Sequence, residues 1–171
     1  APKYQPMMRA ALREAGLPED LVFLAMIESG YNDRAYSSAA AAGHWQFISS
    51  TGRSYGLRID WWVDDRRDPE KSLDAAIRYF GELHRMFGDW RLAWASYNTG
   101  PGRVKRATVR AGSKDYWVLA RGPYLHSETD NYVPKIMAAA IVGKDPTAFG
   151  FVVPQDVPAL VYDKAQVDGS V

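Results

Sequence analysis

Between Leu73 and Phe87 the apolar residues Leu73, Ala76, Ile77, Phe80, Leu83 and Phe87 return every three or four positions, with His84 on the same stripe. Only a helix with one buried face sets that period. Asp68-Pro69-Glu70 ahead of it offers an N-cap, a first-turn proline and an acid for the positive end of the dipole, and Gly88 supplies the stop. A chain committed to one long amphipathic helix must find other elements to cover it, and the same period supplies them.

Tyr4 to Ala15 reads as a first helix, with Met8, Ala11, Leu12 and Ala15 on one face and Gly16 as its stop. Pro18 opens a second helix that is apolar all round from Leu21 to Ile27 and ends at Gly30, the pattern of a fully buried element. Tyr31 to Asp68 is irregular, broken by Gly43, Gly52 and Gly56, with a short helical turn expected from Trp45 to Ser50. Further helices are predicted from Asp89 to about Tyr97, from Pro101 to about Ala111 and from Asp115 to Ala120. A last one, led by the capping-box spacing Ser127-Glu128-Thr129-Asp130, runs to Gly143. The expectation is an all-α domain over residues 1–145. Residues 146–171 form an extension packing on it or leaving it, with Phe151 to Val153 and Leu160 to Tyr162 as short extended or β runs.

Composition narrows the chemistry. With 171 residues, 47% of them hydrophobic, the chain can enclose one core without a disulfide or a metal. The absence of Cys excludes thiol catalysis, Cys-ligated zinc and iron–sulfur clusters. His44, His84 and His126 are scattered and no His-Glu-x-x-His occurs, so neither a metal nor a cofactor is expected. Gly100-Pro101-Gly102 lacks the third glycine and strand context of a dinucleotide site, and Gly-x-Ser-x-Gly is missing. A net charge of +1 gives no global pull towards nucleic acid. The longest apolar run, Leu21 to Ile27, falls far short of the roughly 20 residues that cross a bilayer. The sequence starts at Ala1 with no charged leader, so a targeting segment is expected to lie outside it.

Glu28 is the most informative residue. The stripe Leu21, Leu24, Ala25 continues onto it, which places a carboxyl on a core-facing stripe at the last turn of a buried helix. Desolvation and the negative end of the dipole both disfavour its anion, so it can hold a proton near neutral pH and act as a general acid. The plainer alternative is a helix-end Glu that reaches solvent or pairs with Arg34.

Around Glu28 several blocks follow in one order: Glu28-Ser29-Gly30-Tyr31, Ala35-Tyr36-Ser37, Ala41-Ala42-Gly43, Trp45-Gln46-Phe47, Ser50-Thr51-Gly52, Tyr97-Asn98-Thr99-Gly100, then Glu128-Thr129 with Tyr132-Val133 and Lys135. This order resembles the soluble-lytic-transglycosylase catalytic domain, a lysozyme-like all-α fold of the goose-type lysozyme kind that cleaves peptidoglycan. The ending Tyr132-Val133-Pro134-Lys135 is most similar to the membrane-bound D subgroup. The resemblance implies Glu28 as catalytic acid/base. It implies Ser37, Trp45, Gln46, Ile48, Tyr97, Asn98, Glu128 and Tyr132 as substrate-binding or acid-orienting residues, with glycan strands as partner.

It further implies a single-acid reaction that ends in a 1,6-anhydro sugar, a monomer, a bacterial periplasmic or envelope location, and flanking LysM-type modules or an anchor outside this sequence. Two rivals stay open: a lysozyme-type hydrolase using water, with Glu128 or Asp33 as base, and an inactive wall-binding module. Glu128 and Tyr132 are one turn apart on one helix face and can converge on one cleft.

The chain departs from the family pattern in the stretch Ser37-Ser38-Ala39-Ala40-Ala41, which lacks a proline and has Ala40 where glycine is expected. Ala40 is strained if that position needs φ above zero. His44 replaces an aliphatic residue and reads as a solvated loop histidine or a substrate contact. Ile48 and Ser49 replace the common Met and Pro. Among six Trp, Trp45 is the candidate to stack on a sugar, Trp61-Trp62 could wall the cleft, and Trp90 and Trp94 share a face as core. Arg103, Lys105, Arg106, Arg110 and Lys114 read either as a solvated helix face or as a basic surface for the carboxylates of wall peptides.

Overall fold

The computed structural model describes residues 2–153. Eight α-helices occur among them: α1 (Gln5–Glu14), α2 (Val22–Ser29), α3 (Ser49–Ser54), α4 (Pro69–Phe87), α5 (Trp90–Thr99), α6 (Pro101–Ala111), α7 (Tyr116–Arg121) and α8 (Ser127–Lys144). Short 3₁₀ turns precede α1, α2 and α4, and one follows α8. The described residues contain no named strand, only isolated antiparallel bridges at Tyr36–Ala42, Ala42–Phe47 and Ile59–Asp64.

The long helix α4 forms as its sequence dictates. Asp68 accepts from the backbone N–H groups of Glu70 and Lys71, Pro69 occupies the first turn, and Leu73, Ala76, Tyr79, Phe80, Leu83 and Phe87 are buried. Helix α2 buries Val22, Phe23, Leu24 and Ala25 and stops at Gly30, whose φ of 60° lets its N–H close on Met26 O at 2.8 Å. Burying each such side chain contributes about 1.5–3 kcal/mol, so this short element is held by tertiary packing rather than by its own length.

Two cores meet along a seam. The larger gathers α1, α2, the inner face of α4, Trp45 and Phe47 of the connecting loop, and Tyr132 and Ile136 of α8. The smaller gathers Leu92 and Ala95 of α5, Val104 and Ala107 of α6, Tyr116 and Leu119 of α7, and Val133 of α8. Helices α5 and α8 therefore serve both, with neighbouring residues facing opposite cores.

Pro134 lies inside α8 and leaves the Asp130 carbonyl without its helical donor. The Tyr116 hydroxyl supplies one, donating at 2.9 Å to Asp130 O. That bond ties the smaller core to the helix that carries Glu128 and Tyr132. At the far end of α8, Lys144 Nζ reaches Asp20 Oδ2 at 2.5 Å.

Several boundaries differ from the sequence reading. The turn expected over Trp45 to Ser50 does not form, because Gln46 sits at φ 49° and Ile48 is extended; the helix begins at Ser49 instead. Helix α8 passes through Gly143 to Lys144. Gly143 is there for proximity: a Cβ would lie 2.1 Å from a Phe23 ring carbon. The capping box is not made, since α8 starts at Ser127 with no side-chain bond at its cap, His126. Phe151 to Val153 forms no strand and is exposed, and Leu160 to Tyr162 lies outside the described residues. No helix among the described residues is long and apolar enough to cross a membrane.

Candidate active site

A cleft of about 670 Å³ opens over the larger core, lined by Glu28, the 37–48 loop, Tyr79, the end of α5 and Glu128. Each wall comes from a different part of the chain. Helix α2 ends there because Gly30 ends it, which leaves Glu28 in the last turn, half-buried. The Tyr132 hydroxyl, from α8, donates a hydrogen bond to Glu28 Oε1. Arg34, the alternative partner, makes no ion pair with Glu28.

Desolvation pushes the Glu28 carboxyl up to about 7; the Tyr132 bond pulls it down and the charge of Glu128 pushes it up again. A carboxyl so placed is half protonated at neutral pH. That poise is the one a group needs to give up a proton and then take one back. Burial and the neighbouring Glu28 hold the Tyr132 and Tyr97 phenols well above their ordinary range, so both stay donors.

The other side chains are fixed by short local bonds. The Ser37 hydroxyl oxygen accepts from Ala41 N at 3.1 Å, which leaves its hydrogen for the cleft. Gln46 Nε2 donates to Gly43 O at 2.9 Å and Ala35 O at 3.4 Å, so its carbonyl oxygen is what it can offer. Thr129 Oγ1 donates to Asn98 Oδ1 at 2.8 Å and orients the amide. Tyr97 donates to Trp45 O at 2.7 Å, which pins the loop to α5. Ile48, 44% exposed, is an apolar lip, and Glu128 stands exposed in the same cleft as Glu28.

Four expectations are corrected. Trp45 is 0% exposed and lies edge-on to Phe80 in the core, so its indole cannot receive a sugar; its part in the site is the carbonyl held by Tyr97. Trp61 and Trp62, 89% and 85% exposed, stand on the turn between Ile59 and Asp64 and do not line the cleft. His44 is 0% exposed, packed against the Tyr4 ring and beside the Tyr31 backbone, so it is neither solvated nor a substrate contact. Asp33, offered as a base, lies beside Tyr4 and does not line the cleft. No metal-holding cluster of His, Asp and Glu occurs among the described residues.

Sequence reasoning missed Arg66. It is buried, donates to the carbonyls of Ala40 at 2.7 Å and Phe47 at 3.0 Å, and forks onto both Asp64 oxygens. It staples the cleft loop from behind. Within the run Asp64-Asp65-Arg66-Arg67-Asp68 nothing local marks it from its neighbours. Phe47, Thr51, Tyr79 and Arg103 are further lining residues that the motif blocks did not single out as a site.

A lysozyme-like helical domain with one proton-holding carboxyl in an open cleft is thus the class that fold and site define. The sequence pattern of the Transglycosylase SLT domain matches residues 5–120, and the chain belongs to that family. It is 39% identical over 159 residues to the membrane-bound lytic murein transglycosylase D of Escherichia coli strain K12, covering 90% of this chain and 34% of that protein. It is 29% identical over 160 residues to the membrane-bound lytic murein transglycosylase F 2 of Alkalilimnicola ehrlichii, covering 86% of this chain and 34% of that one. The chain therefore spans about a third of the length of these relatives.

Among solved structures, the 70 kDa soluble lytic transglycosylase of Escherichia coli superposes with a TM-score of 0.70 at 22% identity, over 82% of this chain and 24% of that one. The complex of a 70-kDa soluble lytic transglycosylase with bulgecin A gives a TM-score of 0.71 at 22% identity, over 94% and 26%. These two likenesses are of fold.

Proposed function

We propose that this domain is a lytic transglycosylase of the bacterial cell envelope. It would cleave the β-1,4 bond between N-acetylmuramic acid and N-acetylglucosamine and close the muramic acid into a 1,6-anhydro ring. The observation that carries this reading is Glu28: a carboxyl raised to about 7 by desolvation, oriented by Tyr132, in a cleft wide enough for sugars.

The steps follow from one acid. Glu28 gives its proton to the glycosidic oxygen as the C1–O bond breaks, and the acetamido carbonyl of the same muramic acid bonds to C1 and bears the positive charge. The Glu28 carboxylate then takes the proton of the 6-hydroxyl. The 6-oxygen bonds to C1, the acetamido carbonyl leaves, and Glu28 ends protonated as it began. No water is consumed, so the reaction depends on holding the internal hydroxyl near C1. Ser37, Gln46 and Asn98 offer a donor, an acceptor and an amide to the sugar, Tyr132 keeps Glu28 oriented, and Ile48 gives an apolar edge. The names of the relatives support the substrate class and the envelope location.

Glu128 lies in the same cleft, and it keeps a water-using hydrolase as the second reading. Mass spectrometry of the muropeptides released from purified sacculi separates the two. Transglycosylation leaves anhydro ends one water lighter than the reducing ends of hydrolysis, and a digest of reducing ends alone overturns the proposal. Sacculus binding with no soluble product would instead leave a wall-binding module.

A further inference from the structure

Trp61 and Trp62 have no part in the site, yet the backbone that displays them is firmly held. Asp65 N donates to Arg58 O at 2.9 Å and Asp60 N to Val63 O at 2.8 Å, which makes residues 58–65 a short hairpin with the two tryptophans at its tip. The Asp60 carboxylate accepts from Trp62 N at 2.8 Å and from Val63 N at 2.9 Å. Turns of this kind favour Gly, Pro, Asn, Asp or Ser at their tips, not indoles. Neither core takes the two rings in. Turn chemistry and folding thus give no reason for two neighbouring exposed tryptophans, and a contact outside the domain does.

The hairpin is continuous with the loop wall of the cleft. Arg66 forks onto Asp64 near its base, while Arg66 Nη1 donates to Ala40 O and Phe47 O, so one guanidinium holds hairpin and wall together. Helix α3 joins them a second time: Thr51 lines the cleft, and Arg53 Nη2 donates to Ile59 O at 2.8 Å. Between these two, Gly52 makes room for Ile59, whose Cδ1 would lie 3.1 Å from a Cβ there. The charges of the hairpin are matched at home. Arg58 pairs with Asp60, Arg66 and Arg67 with Asp64, and Lys71 with Asp65. Flat apolar rings over matched charges suit sugar rings, which present C–H faces and no charge, better than an anionic bilayer, which calls for free cations.

We propose that the Trp61-Trp62 hairpin is a second saccharide contact, which holds a stretch of the same glycan strand outside the cleft. The proposal rests on the transglycosylase reading for its ligand and goes beyond it in place: the cleft takes the sugars that react, and the hairpin takes sugars that do not. Two weak contacts on one polymer reinforce each other, because a strand seated in the cleft offers its remaining sugars to the hairpin at high effective concentration. The fixed turn keeps the ordering cost of the second contact low.

The test uses fluorescently labelled, uncrosslinked glycan strands, long ones and the tetrasaccharide of the same repeat, with binding read by anisotropy in a Glu28→Gln background so that nothing is cleaved. Trp61→Ala with Trp62→Ala should weaken binding of long strands about tenfold and leave the tetrasaccharide unchanged. Trp61→Phe with Trp62→Phe should keep most of the long-strand affinity. Both rings are exposed, so melting curves of the Ala pair should match those of the parent. In the parent, acrylamide quenching of tryptophan fluorescence should fall when long strands bind and stay as it was with the tetrasaccharide.

Undiminished binding of long strands by the Ala pair overturns the proposal, as does an equal loss on both ligands or quenching that long strands leave unchanged. Binding to phosphatidylcholine or phosphatidylglycerol vesicles, or self-association, that the Ala pair abolishes while strand binding persists also overturns it, in favour of a membrane or a second copy. The reaction is judged separately, from the products of chains that keep Glu28. Anhydro ends with no tryptophan-dependent strand binding sink the hairpin contact and spare the transglycosylase. Tryptophan-dependent binding with reducing ends alone does the reverse.

Discussion

The two walls of the cleft are built by opposite means. Helices α2, α5 and α8 present Glu28, Asn98 and Tyr132 from regular backbone, held by packing on two cores. The facing loop holds Ser37, Gln46 and Ile48 in tight turns. Tyr31, Ala40 and Gln46, at φ 61°, 59° and 49°, are the non-glycine residues with positive φ among the described residues, and all lie in that loop segment. In the proposed reaction the acid needs a fixed place and a fixed proton affinity, which rigid elements supply. The loop wall, proposed to face the sugar, has a shape no regular element gives, and it is kept by strain that a staple behind it holds in check. If this contrast is right, substitutions on the helical wall change the reaction, and those on the loop change stability or fit.

The largest effect belongs to the helical wall. Glu28→Gln keeps shape and removes the proton, and activity on sacculi should fall by about 10²–10⁴. In the unaltered chain the folded carboxyl titrates near 7, above its ordinary value, so the acid form is present below that pH and lost above it. The rate, followed from pH 5 to 9, should therefore drop on the alkaline side of about 7. Linkage has the same sign. The folded state has an advantage from this group below its unfolded value near 4.5, and loses it as pH rises through 7. Glu28→Gln should accordingly melt higher than the unaltered chain at pH 8 and lose that lead at pH 4. Near wild-type cleavage by this variant would detach the reaction from the helical wall.

Gly43→Ala probes the staple and comes next. A Cβ there would meet Arg66 O at 1.8 Å, on backbone with a φ of 78°. No side-chain rotation relieves a clash with backbone, so the loop or the Asp64–Arg67 turn must move, at a cost of about 3 kcal/mol or more. Chemical denaturation should show that loss. A variant of unchanged stability would mean that loop and turn are not locked together.

The contrast between the walls also explains what could be read beforehand. Helices α4 and α6 were legible to within a residue because their caps, prolines and apolar period are local, and Glu28 stood out because a carboxyl ending an apolar helix is a local anomaly. Its bond to Tyr132 spans 104 positions and no period encodes it; only the order of the motif blocks pointed there. In the loop wall, burial is decided by what folds over it. The irregular, glycine-broken stretch around His44 suggested solvent, and the flat indole of Trp45 beside Gln46 suggested sugar, yet both face inward because Arg66 and Tyr97 draw the loop carbonyls against the core. Pro134 was tolerable inside α8 for a reason equally remote, the Tyr116 hydroxyl.

His44→Leu should stabilise the chain by up to about 1 kcal/mol, since it removes a buried imidazole beside Tyr4 that has at most one backbone partner, at Tyr31, for its two ring nitrogens. Desolvation lowers the imidazole below its ordinary 6.5, so its neutral form is the folded one. The stability tied to that form is full above about 6.5 and is lost as pH falls through the folded value. The gain from Leu should therefore widen at pH 5, a trend that melting curves at pH 5 and 8 can check. Activity should be unmoved, and a variant that cleaves poorly while folding well would return His44 to the substrate.

Ala40→Gly carries a comparably small effect and the sharpest reading of the loop. The left-handed backbone at φ 59° costs an L-residue with a side chain roughly 1–2 kcal/mol, which glycine would not incur. Against that stands about 0.5–1 kcal/mol for the freer unfolded chain. The net gain should lie between about 0 and 1.5 kcal/mol, or a rise in Tm of no more than about 6 °C for a domain of this length. Ala40 O is held by Arg66, and neighbouring Ser38, Ala39 and Ala41 line the cleft, so relief of strain should leave the cleft's shape and its KM as they are. A rise in Tm together with a weakened KM would show the strain setting the sugar-facing surface itself, and the loop wall would then share in function rather than only frame it.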